Sequence, residues 1–577
     1  MKSSLMYDVA IIGGGPSGST LATLLKKYKP ELKVLILERE KFPREHVGES
    51  QLPPIGAVLN EMGVWDKVEA ANFPIKIGAT YRWGNTRDLW DFELYPADKF
   101  RDEPRPAKFE GQRTSTAFQV ERSVYDKILL DHAKSVGVEV REETKVTQIL
   151  NENDHILGIE IESGETIVAK HYVDASGSSG FMRRALNIPI VEPSSLRNIA
   201  FWDYWNNTEW AFSVGTGGTR VQVMSLGYGW IWFIPIGPTR TSIGLVCPAE
   251  YYRQTGLTKE EVYERALKDE PLINGLIKNA TRDNKVQATK DWSYYAQRMH
   301  GKNWFLVGEA AGFADPILAA GLTMAHIAAK ELAYTILAIE NGDHDPEWLR
   351  NQMSENQTRR VEQHIKFADF WYTANGCFTD IKEFTREIAS DAGLQLDANS
   401  AFQWLGTGGF IHEHTYTGLA GYTLEGVKDT VEILLQESPD LEISKYNFFQ
   451  LNLDGAIEEN FAIYQDGKIY AQKRWRKNGQ TLPQMGMYFI LVQILRHNGT
   501  VQFVLDNITR AVMQKGIAKT QKQALDYGLA FLEALVHSGW VIGSSRHDLP
   551  KLKHELPKWK NGIHLNVDTF VTKGSQN

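Results

Sequence analysis

The segment Tyr7–Gly18 constrains the fold most strongly, because it joins a short apolar run to three regularly spaced glycines. The run YDVAII is typical of a buried parallel strand, and Gly13, Gly15 and Gly18 follow it as GxGxxG. In such a turn the first glycine permits the tight bend and the second lets a pyrophosphate approach the backbone. The third lets helix and strand pack closely. The alternative is a glycine-rich turn that holds no ligand.

A helix and a second strand continue this pattern. Residues 16–27 show helical spacing of Leu and Ala, and the run KVLILE then ends at Glu38. The start of such a helix offers free N–H groups to phosphate oxygens. Glu38 stands twenty residues after Gly18, where an acid can accept hydrogen bonds from a ribose. We therefore predict a βαβ unit that binds a dinucleotide.

A second glycine-rich segment far downstream indicates which dinucleotide it is. Residues 303–316 read NWFLVGEAAGFADP, a buried strand that ends in Gly-acid-Ala-Ala-Gly and leads into a helix. This resembles the FAD-binding fold of the p-hydroxybenzoate hydroxylase superfamily, with Glu309 where Asp is usual. The resemblance implies FAD as the cofactor. It extends to the segments QVERSVYDKIL and VDASG, and places these residues at the flavin: Arg122, Asp174, Gly308, Glu309, Gly312 and Pro316.

An aromatic run in the middle of the chain narrows the family further. Residues 230–235 read WIWFIP, which resembles the WxWxIP pattern of flavin-dependent halogenases. In that family the pattern separates substrate from flavin, a role implied here for Trp230, Trp232, Ile234 and Pro235. The same pattern would also suit an aromatic core strand, because alternation places both tryptophans on one face.

Two earlier segments support this resemblance, which covers about residues 5–345. FPREHVGESQLP resembles the family's GES segment, which implies that Gly48, Glu49 and Ser50 lie near the flavin. FPIKIGATYRWG resembles the segment that supplies its essential lysine, here Lys76. The match is closer to the branch that acts on phenols, pyrroles and carrier-tethered substrates than to the tryptophan branch. Without that context, Lys76 would be interpreted as an ordinary exposed lysine.

The resemblance implies a specific use of FADH2. Reduced FAD and O₂ form a flavin hydroperoxide, halide attacks it, and the hypohalous acid produced halogenates an electron-rich aromatic ring of phenol, pyrrole or indole type. Lys76 would hold this acid through a hydrogen bond or carry its halogen as a haloamine. The flavin performs the redox step, while the protein supplies position and excludes water.

The expected halide segment departs from the family pattern. It reads DPILAAGLT, in which Ala319 and Ala320 replace the usual Ser or Thr. Halide would then be bound by backbone N–H groups at Ala320 and Gly321. The missing hydroxyl leaves a flavin monooxygenase, hydroxylase or reductase of the same fold as the alternative. A flavin-binding protein without turnover is a third possibility.

Composition and the remaining motifs limit the partners. The net charge is −8 and the basic residues are scattered, which argues against nucleic acid. Cys247 and Cys377 are the two cysteines, and there is no signal peptide or run of about 18 apolar residues, so we expect a cytoplasmic protein without a membrane span. We predict no metal site. No second GxGxxG lies between a strand and a helix, which predicts a separate flavin reductase.

These patterns together predict an α/β + β chain. A Rossmann-like FAD-binding domain spans residues 1–345 and contains an inserted substrate-side β-sheet from about 73–115 and 190–300. The polar stretch NGDHDPEW marks the start of a mostly helical C-terminal region, 346–577, which has no chemical motif. We expect this region to cover the substrate site with some of its aromatic residues: Phe370, Trp371, Tyr372, Phe402, Trp404 and Tyr416.

Overall fold

The computed structural model describes residues 6–84, 88–192, 197–290, 293–375, 441–516, 518–550 and 563–565 of the 577-residue chain. The chain divides into two compact units. The first comprises residues 1–394, 464–469 and 564–577, and the second comprises residues 395–463 and 470–563.

Strands and helices are interspersed along most of the described residues. The strands are β1 (Met6–Ile12), β2 (Val34–Leu37), β3 (Ile75–Arg82), β4 (Trp90–Glu93), β5 (Ala117–Phe118), β6 (Glu139–Arg141), β7 (Val146–Glu152), β8 (His155–Ile161), β9 (Thr166–Asp174), β10 (Ile190–Val191), β11 (Asn198–Asn206), β12 (Ser213–Val214), β13 (Gly218–Leu226), β14 (Gly229–Pro235), β15 (Arg240–Pro248), β16 (Thr281–Arg282), β17 (Gln287–Lys290), β18 (Tyr294–Ala296), β19 (Trp304–Leu306), β20 (Gly312–Phe313), β21 (Phe448–Leu451), β22 (Ile457–Gln465), β23 (Lys468–Lys477), β24 (Gln480–Pro483), β25 (Val541–Ser544) and β26 (Ile563–Leu565). The helices are α1 (Pro16–Tyr28), α2 (Pro54–Met62), α3 (Trp65–Ala70), α4 (Arg122–Ser135), α5 (Phe181–Ala185), α6 (Ala249–Thr255), α7 (Lys259–Asp269), α8 (Pro271–Leu276), α9 (Gly321–Asn341), α10 (Pro346–Asn375), α11 (Gly486–His497), α12 (Val501–Gln514) and α13 (Gln521–His537).

The first sheet is built on the predicted βαβ unit. Strands β1 and β2 are parallel neighbours, and the order β6–β2–β1–β9–β8–β7 follows, with β19 on the other side of β9. Strands β1, β2, β6, β9 and β19 run parallel and are joined by long connections, as in a Rossmann-like sheet. Their carboxyl ends therefore lie at one edge, where Gly13, Asp174 and Gly308 lie at or just beyond the ends of β1, β9 and β19.

The second, larger sheet draws on both predicted sequence ranges. Its order is β16–β11–β15–β14–β13–β3–β4, with β5 beside β3 and β17 beside β11. The register between β3 and β13 shifts near Lys76: Thr219 pairs with Lys76, but Arg220 pairs with Gly78. Strand β3 thus carries one extra residue, Ile77, at this point, and such an irregularity changes which side chains share a face.

Helix α9 forms the centre of the first unit and packs against α1, α2 and α10. Among the described helices it alone is long and apolar enough to cross a membrane, but 72% of its most apolar window is buried inside the protein. That burial is typical of a core helix. Because α10 packs on α9, the first compact unit extends past the expected limit at residue 345, as far as residue 394.

The described part of the second unit contains strands as well as helices. Helices α11, α12 and α13 pack with one another, and β21 pairs with β25. Strands β23 and β24 form a hairpin whose turn, Asn478-Gly479, has both residues at positive φ. Asn-Gly between β-prone runs is a hairpin signal that our mostly helical expectation overlooked. Phe402, Trp404, Tyr416 and Cys377 lie outside the described residues.

The glycine turn between β1 and α1 allows a test of which glycine is needed for stability. A Cβ atom on Gly18 would lie 2.0 Å from the Gly13 carbonyl oxygen, whereas one on Gly15 would meet only Arg44 Nη2, at 3.4 Å. We predict that Gly18→Ala destabilises the protein by about 2 kcal/mol or more, the cost of overpacking. Gly15→Ala should cost about 0.5 kcal/mol. Thermal unfolding of both variants measures this, and equal losses would contradict it.

Candidate active site

The N-terminus of α1 is open to an anionic ligand. Gly15 is the N-cap residue and offers no side chain to the first N–H groups of the helix. Arg44 reaches this point from the loop after β2 with its Nη2, while its buried Nη1 makes no hydrogen bond and lies 3.5 Å from Asp126 Oδ2. A helix start beside a guanidinium suits a pyrophosphate, because both favour negative charge. The sequence analysis did not predict Arg44 as a pyrophosphate ligand, although a basic residue shortly after Glu38 could have indicated one.

Glu38, the predicted ribose ligand, is hydrogen-bonded to this turn. Its carboxylate accepts hydrogen bonds from the backbone N–H of Gly14 at 2.7 Å and of Glu40 at 2.9 Å. Each carboxylate oxygen can accept a second hydrogen bond. The geometry therefore leaves room for the predicted hydroxyl donors of a ribose.

The downstream glycine segment packs directly onto this helix start. Gly308 has φ of +64°, and a Cβ atom there would lie 2.4 Å from Ser17 Oγ in α1. Glu309 beside it is partly exposed, and desolvation raises its pKa. A Cβ atom on Gly312 would lie 2.8 Å from the Tyr294 carbonyl oxygen, so that glycine is needed for packing. The structure thus brings Gly308 to the start of α1, where we predict the phosphates, with Glu309 as its chain neighbour.

Asp174 lies at the same edge of the first sheet, but its carboxylate is hydrogen-bonded to the loop that follows β9. Its carboxylate accepts hydrogen bonds from the N–H groups of Ser176 at 3.0 Å and Met182 at 2.8 Å. It therefore braces the loop after β9, and direct contact with the flavin stays a prediction.

Arg122 fixes the GES segment in place. Its Nε and Nη2 donate to both oxygens of Asp126, at 2.8 and 2.9 Å, and its Nη1 donates to the carbonyls of Val47 and Gly48. Desolvation opposes its charge, but the attraction of Asp126 and more distant carboxylates outweighs it, and the pKa of Arg122 is raised. Asp126 was not predicted, although its i+4 spacing from Arg122 was a signal.

Glu49 is buried next to this anchor. Its carboxylate accepts a hydrogen bond from the Tyr204 hydroxyl at 3.1 Å and another from the Gly48 N–H at 3.0 Å. Desolvation raises its pKa in spite of these donors. The GES segment is thus held by buried polar contacts on more than one side.

Lys76 lies in β3 and is not the exposed lysine that its position alone would suggest. Its side chain is only 4% exposed. The Nζ atom donates to Ser50 Oγ at 2.8 Å and to the Gln51 carbonyl at 3.0 Å. Burial lowers its pKa to about 7, with no contribution from a charged neighbour. Close to neutral pH this amine is therefore available both as a hydrogen-bond donor and as a free base.

The register shift in β3 places Lys76 on the tryptophan face of the large sheet. Paired residues in a sheet share a face, so Lys76 shares one with Thr219, and alternation along β13 extends that face to Val223. Val223 pairs with Trp232 in β14. Regular alternation back from Gly78, which pairs with Arg220, would instead put Lys76 on the face of Arg220.

The opposite face carries a buried ion pair instead. Asp91 accepts hydrogen bonds from Thr80 Oγ1 and Arg220 Nη1, each at 2.6 Å. The shift therefore separates Lys76 from this ion pair.

The WxWxIP strand is rigidly held. Trp232 Nε1 donates to Ser242 Oγ at 3.1 Å, and the Trp232 ring lies against Gly244, where a Cβ atom would be only 2.2 Å from the ring. Trp230 Nε1 donates to the Tyr372 hydroxyl at 2.9 Å. Ile234 is buried, and Pro235 ends the strand. These contacts fix both indole rings.

Helix α10 closes this aromatic wall. Trp371 stacks on Tyr81 with ring centroids 5.0 Å apart, and Trp83 Nε1 donates to the Trp371 carbonyl. Tyr372 in turn donates to Asp315 Oδ1 at 3.2 Å. Asp315, Trp230 and α10 are therefore linked by one buried network.

The halide segment begins at that network. Asp315 caps the short turn from Pro316 by accepting from the Ile317 N–H at 2.8 Å, and burial raises the pKa of Asp315 to about 7. Ala319 adopts the left-handed conformation with φ of +54°, and Ala320 is the N-cap residue of α9 without a side-chain cap. Gly321 then begins α9 and packs against Phe313, whose ring would lie 2.5 Å from a Cβ atom there.

These residues suit FAD. An uncapped helix start, an open Gly15, Arg44 with a buried nitrogen that lacks a hydrogen-bond partner and the ribose-side Glu38 lie together at one edge of the first sheet. FAD is a long ligand with a pyrophosphate near its middle, which matches this arrangement. The Lys76 cluster and the tryptophans lie in the second sheet of the same compact unit.

Comparison with known proteins shows the family to which the chain belongs. A protein-family model described as FAD binding domain matches residues 6–368, from β1 to within α10. The chain is 31% identical over 388 residues to the 1H-pyrrole-2-carbonyl-(peptidyl-carrier protein) chlorinase of Pseudomonas fluorescens, covering 65% of this chain and 85% of that relative. It is 32% identical over 346 residues to the tryptophan 2-halogenase of Chondromyces crocatus, covering 58% of this chain and 62% of that relative.

Solved structures share the fold. The flavin-dependent halogenase CmlS matches with a TM-score of 0.71 at 23% identity, covering 97% of this chain and 100% of that one. The myxobacterial chondrochloren halogenase CndH matches with a TM-score of 0.58 at 26% identity, covering 75% and 97%. The chain belongs to the FAD binding domain family and, within it, to the flavin-dependent halogenases, which are enzymes that use FAD and a halide ion.

Proposed function

We propose that this protein halogenates an electron-rich aromatic compound, using hypohalous acid that Lys76 holds and aims. The observation that carries the proposal is the buried Lys76 amine, without a charged partner, on the face that bears Trp230 and Trp232. An amine in this state can donate a hydrogen bond to hypohalous acid or accept its halogen.

The flavin supplies the oxidant and the protein directs it. Bound reduced FAD supplies hypohalous acid from O₂ and halide. The start of α1, with Arg44 and Glu38, would hold its ADP half, and Gly48, Glu49 and Ser50 would lie near its ring. The buried face around Lys76 excludes water that would otherwise dilute the acid. Trp230 and Trp232, fixed by hydrogen bonds, would keep the substrate away from the flavin.

Halide binding would rely on the backbone. Ala319 in the left-handed conformation leads into the uncapped start of α9, where the N–H groups of Ala320 and Gly321 can meet an anion. The hydroxyl that relatives place here is therefore not required for an anion site. This is why the alanines do not lead us to favour a hydroxylase.

The substrate class follows from the named relatives and from the aromatic wall. One relative is named for a pyrrole tethered to a carrier protein and another for tryptophan, so free and tethered aromatic rings are both candidates. We place the substrate against the second sheet, with α10 forming its outer side. We expect a separate flavin reductase as partner and a cytoplasmic location.

A substrate screen tests the reaction class. The protein is incubated with FAD, NADH, a flavin reductase, bromide and a panel of phenols, pyrroles and indoles, and products are measured by mass spectrometry. We predict the isotope doublet of a monobrominated product, which disappears when the reductase is omitted. Addition of oxygen to the substrate, or rapid flavin reduction by NADPH alone that substrate stimulates, would instead indicate a hydroxylase.

Gly15→Val tests the cofactor site. A branched side chain at this open position would occupy the space that a pyrophosphate needs, while the nearest protein atom is only the flexible end of Arg44. We predict that FAD affinity falls at least about 100-fold, measured by quenching of flavin fluorescence, while circular dichroism stays like that of the parent. An unchanged affinity would show that FAD does not bind at this site.

Substitution of Lys76 tests the central step. We predict that Lys76→Ala reduces halogenation by at least about 10²–10⁴-fold, the worth of a positioned proton donor. FAD binding and the oxidation of reduced flavin by O₂, followed by stopped-flow absorbance, should change little. Lys76→Arg should not restore the rate, because a guanidinium cannot readily supply a neutral amine.

Lys127→Ala is the matched control, because that lysine is 42% exposed on α4 and should be dispensable. If Lys76→Ala halogenates at the parent rate, the lysine has no part in the reaction.

A further inference from the structure

A second polar side chain lies buried beside Lys76 without any hydrogen-bond partner. Gln119 follows β5 and has no exposed surface. Neither Nε2 nor Oε1 of its amide makes a hydrogen bond. Most buried polar groups are paired, because burial without a partner costs roughly 1–3 kcal/mol. An unpaired amide in the core therefore indicates a polar ligand that it is built to meet.

Two independent pairings place the Gln119 amide on the Lys76 face. Ser50 and Gln119 form an antiparallel bridge, so their side chains share a side, and Ser50 Oγ is the atom that Lys76 Nζ contacts at 2.8 Å. Lys76 also pairs directly with Ala117, and alternation puts Gln119 on the same side as Ala117. The backbone of Gln119 is fixed by its N–H, which donates to the Pro74 carbonyl at 3.0 Å.

Gln51 is also buried, but its amide interacts with the Tyr125 hydroxyl. It is the residue after Ser50, so its side chain leaves the segment on the opposite side, towards the Tyr125 hydroxyl. Tyr125 also lies 2.9 Å from His326 Nε2, in the core between α4 and α9. Gln119 is therefore the better candidate for a ligand next to Lys76.

We propose that Gln119 is a positioning residue for hypohalous acid, with its amide N–H hydrogen-bonded to the oxygen of the acid beside Lys76. This rests on the proposed function. In the transfer, the oxygen–halogen bond breaks with its electron pair going to oxygen, and the halogen bonds to a ring carbon. The hydroxide formed leaves as water with the proton that the ring releases. A donor at the oxygen stabilises the charge that develops there.

Gln119→Leu tests the proposal, because leucine has a similar volume and no amide. The assay uses a probe aromatic that the parent brominates, together with a diketone such as 2-chloro-5,5-dimethylcyclohexane-1,3-dione that traps free hypohalous acid. We expect oxidation of reduced flavin and FAD affinity to remain at parent values. The ratio of halogenated probe to trapped halogen should fall about tenfold or more, with the KM for the probe unchanged.

Thermal stability provides a readout that does not depend on activity. Removing an unpaired buried amide should leave the melting temperature of Gln119→Leu unchanged or raise it by about 1–3 °C. Gln112→Leu is the matched control. That glutamine is also buried, but its amide donates to the Arg101 carbonyl at 2.6 Å and accepts from the Arg101 N–H at 3.0 Å. Its replacement should lower the melting temperature and leave the product ratio unchanged.

Three results would overturn the proposal. An unchanged product ratio would show that Gln119 does not position the acid. A raised KM would make it a substrate contact, and a loss of FAD affinity would make it a flavin ligand. If the parent enzyme halogenates no probe, the proposed function itself is contradicted. The parent is assayed first, so this outcome is distinguished from a failure of the Gln119 proposal.

Discussion

The proposed reaction depends on the burial of one amine without a counter-charge. Lys76 is almost entirely enclosed, its Nζ donates only to a hydroxyl and a carbonyl, and desolvation lowers its pKa to about 7. A carboxylate among its neighbours would hold the amine protonated and occupy its hydrogen-bonding directions. The large sheet avoids this through the extra residue in β3, which separates Lys76 from the Asp91–Arg220 pair on the opposite face.

We propose that the rest of the first unit positions cofactor and substrate around that amine. Arg122 and Asp126 anchor the GES segment, and Ser50 at its end carries the hydroxyl that Lys76 contacts. Thr323 at the start of α9 accepts a hydrogen bond from the Leu52 N–H at 3.0 Å, which ties the same segment to the halide loop. Residues 47–52 thus contact Arg122, Lys76 and the start of α9, and so connect the predicted flavin, lysine and halide sites.

The glycine turn and βαβ unit could be predicted because strand, turn and helix signals are local. The role that we propose for Lys76 came from the resemblance to a family. Its burial has no local signal, since it arises from contacts with residues 26 and 143 positions away, Ser50 and Thr219. The β3 irregularity and the unpaired Gln119 amide leave no local signal at all. The C-terminal hairpin was predictable in principle, because Asn-Gly at 478–479 is typical of a two-residue hairpin turn. We did not use that signal when we predicted a mostly helical region.

The most direct test of this buried, uncompensated amine is the titration of Lys76 itself in the FAD-loaded protein. Carbamylation by cyanate, a reagent small enough to enter a buried site, proceeds through the neutral amine and can be followed at Lys76 by peptide mass spectrometry. The carbamylation rate of Lys76 is divided by that of Nα-acetyl-lysine in the same sample. We predict a ratio that is constant below about pH 7 and falls between about pH 7 and pH 10, because the pKa of Lys76 is about 7 and that of the reference amine is about 10.4. A ratio that stays constant up to about pH 10, as for an ordinary lysine, would contradict the proposed state of the amine.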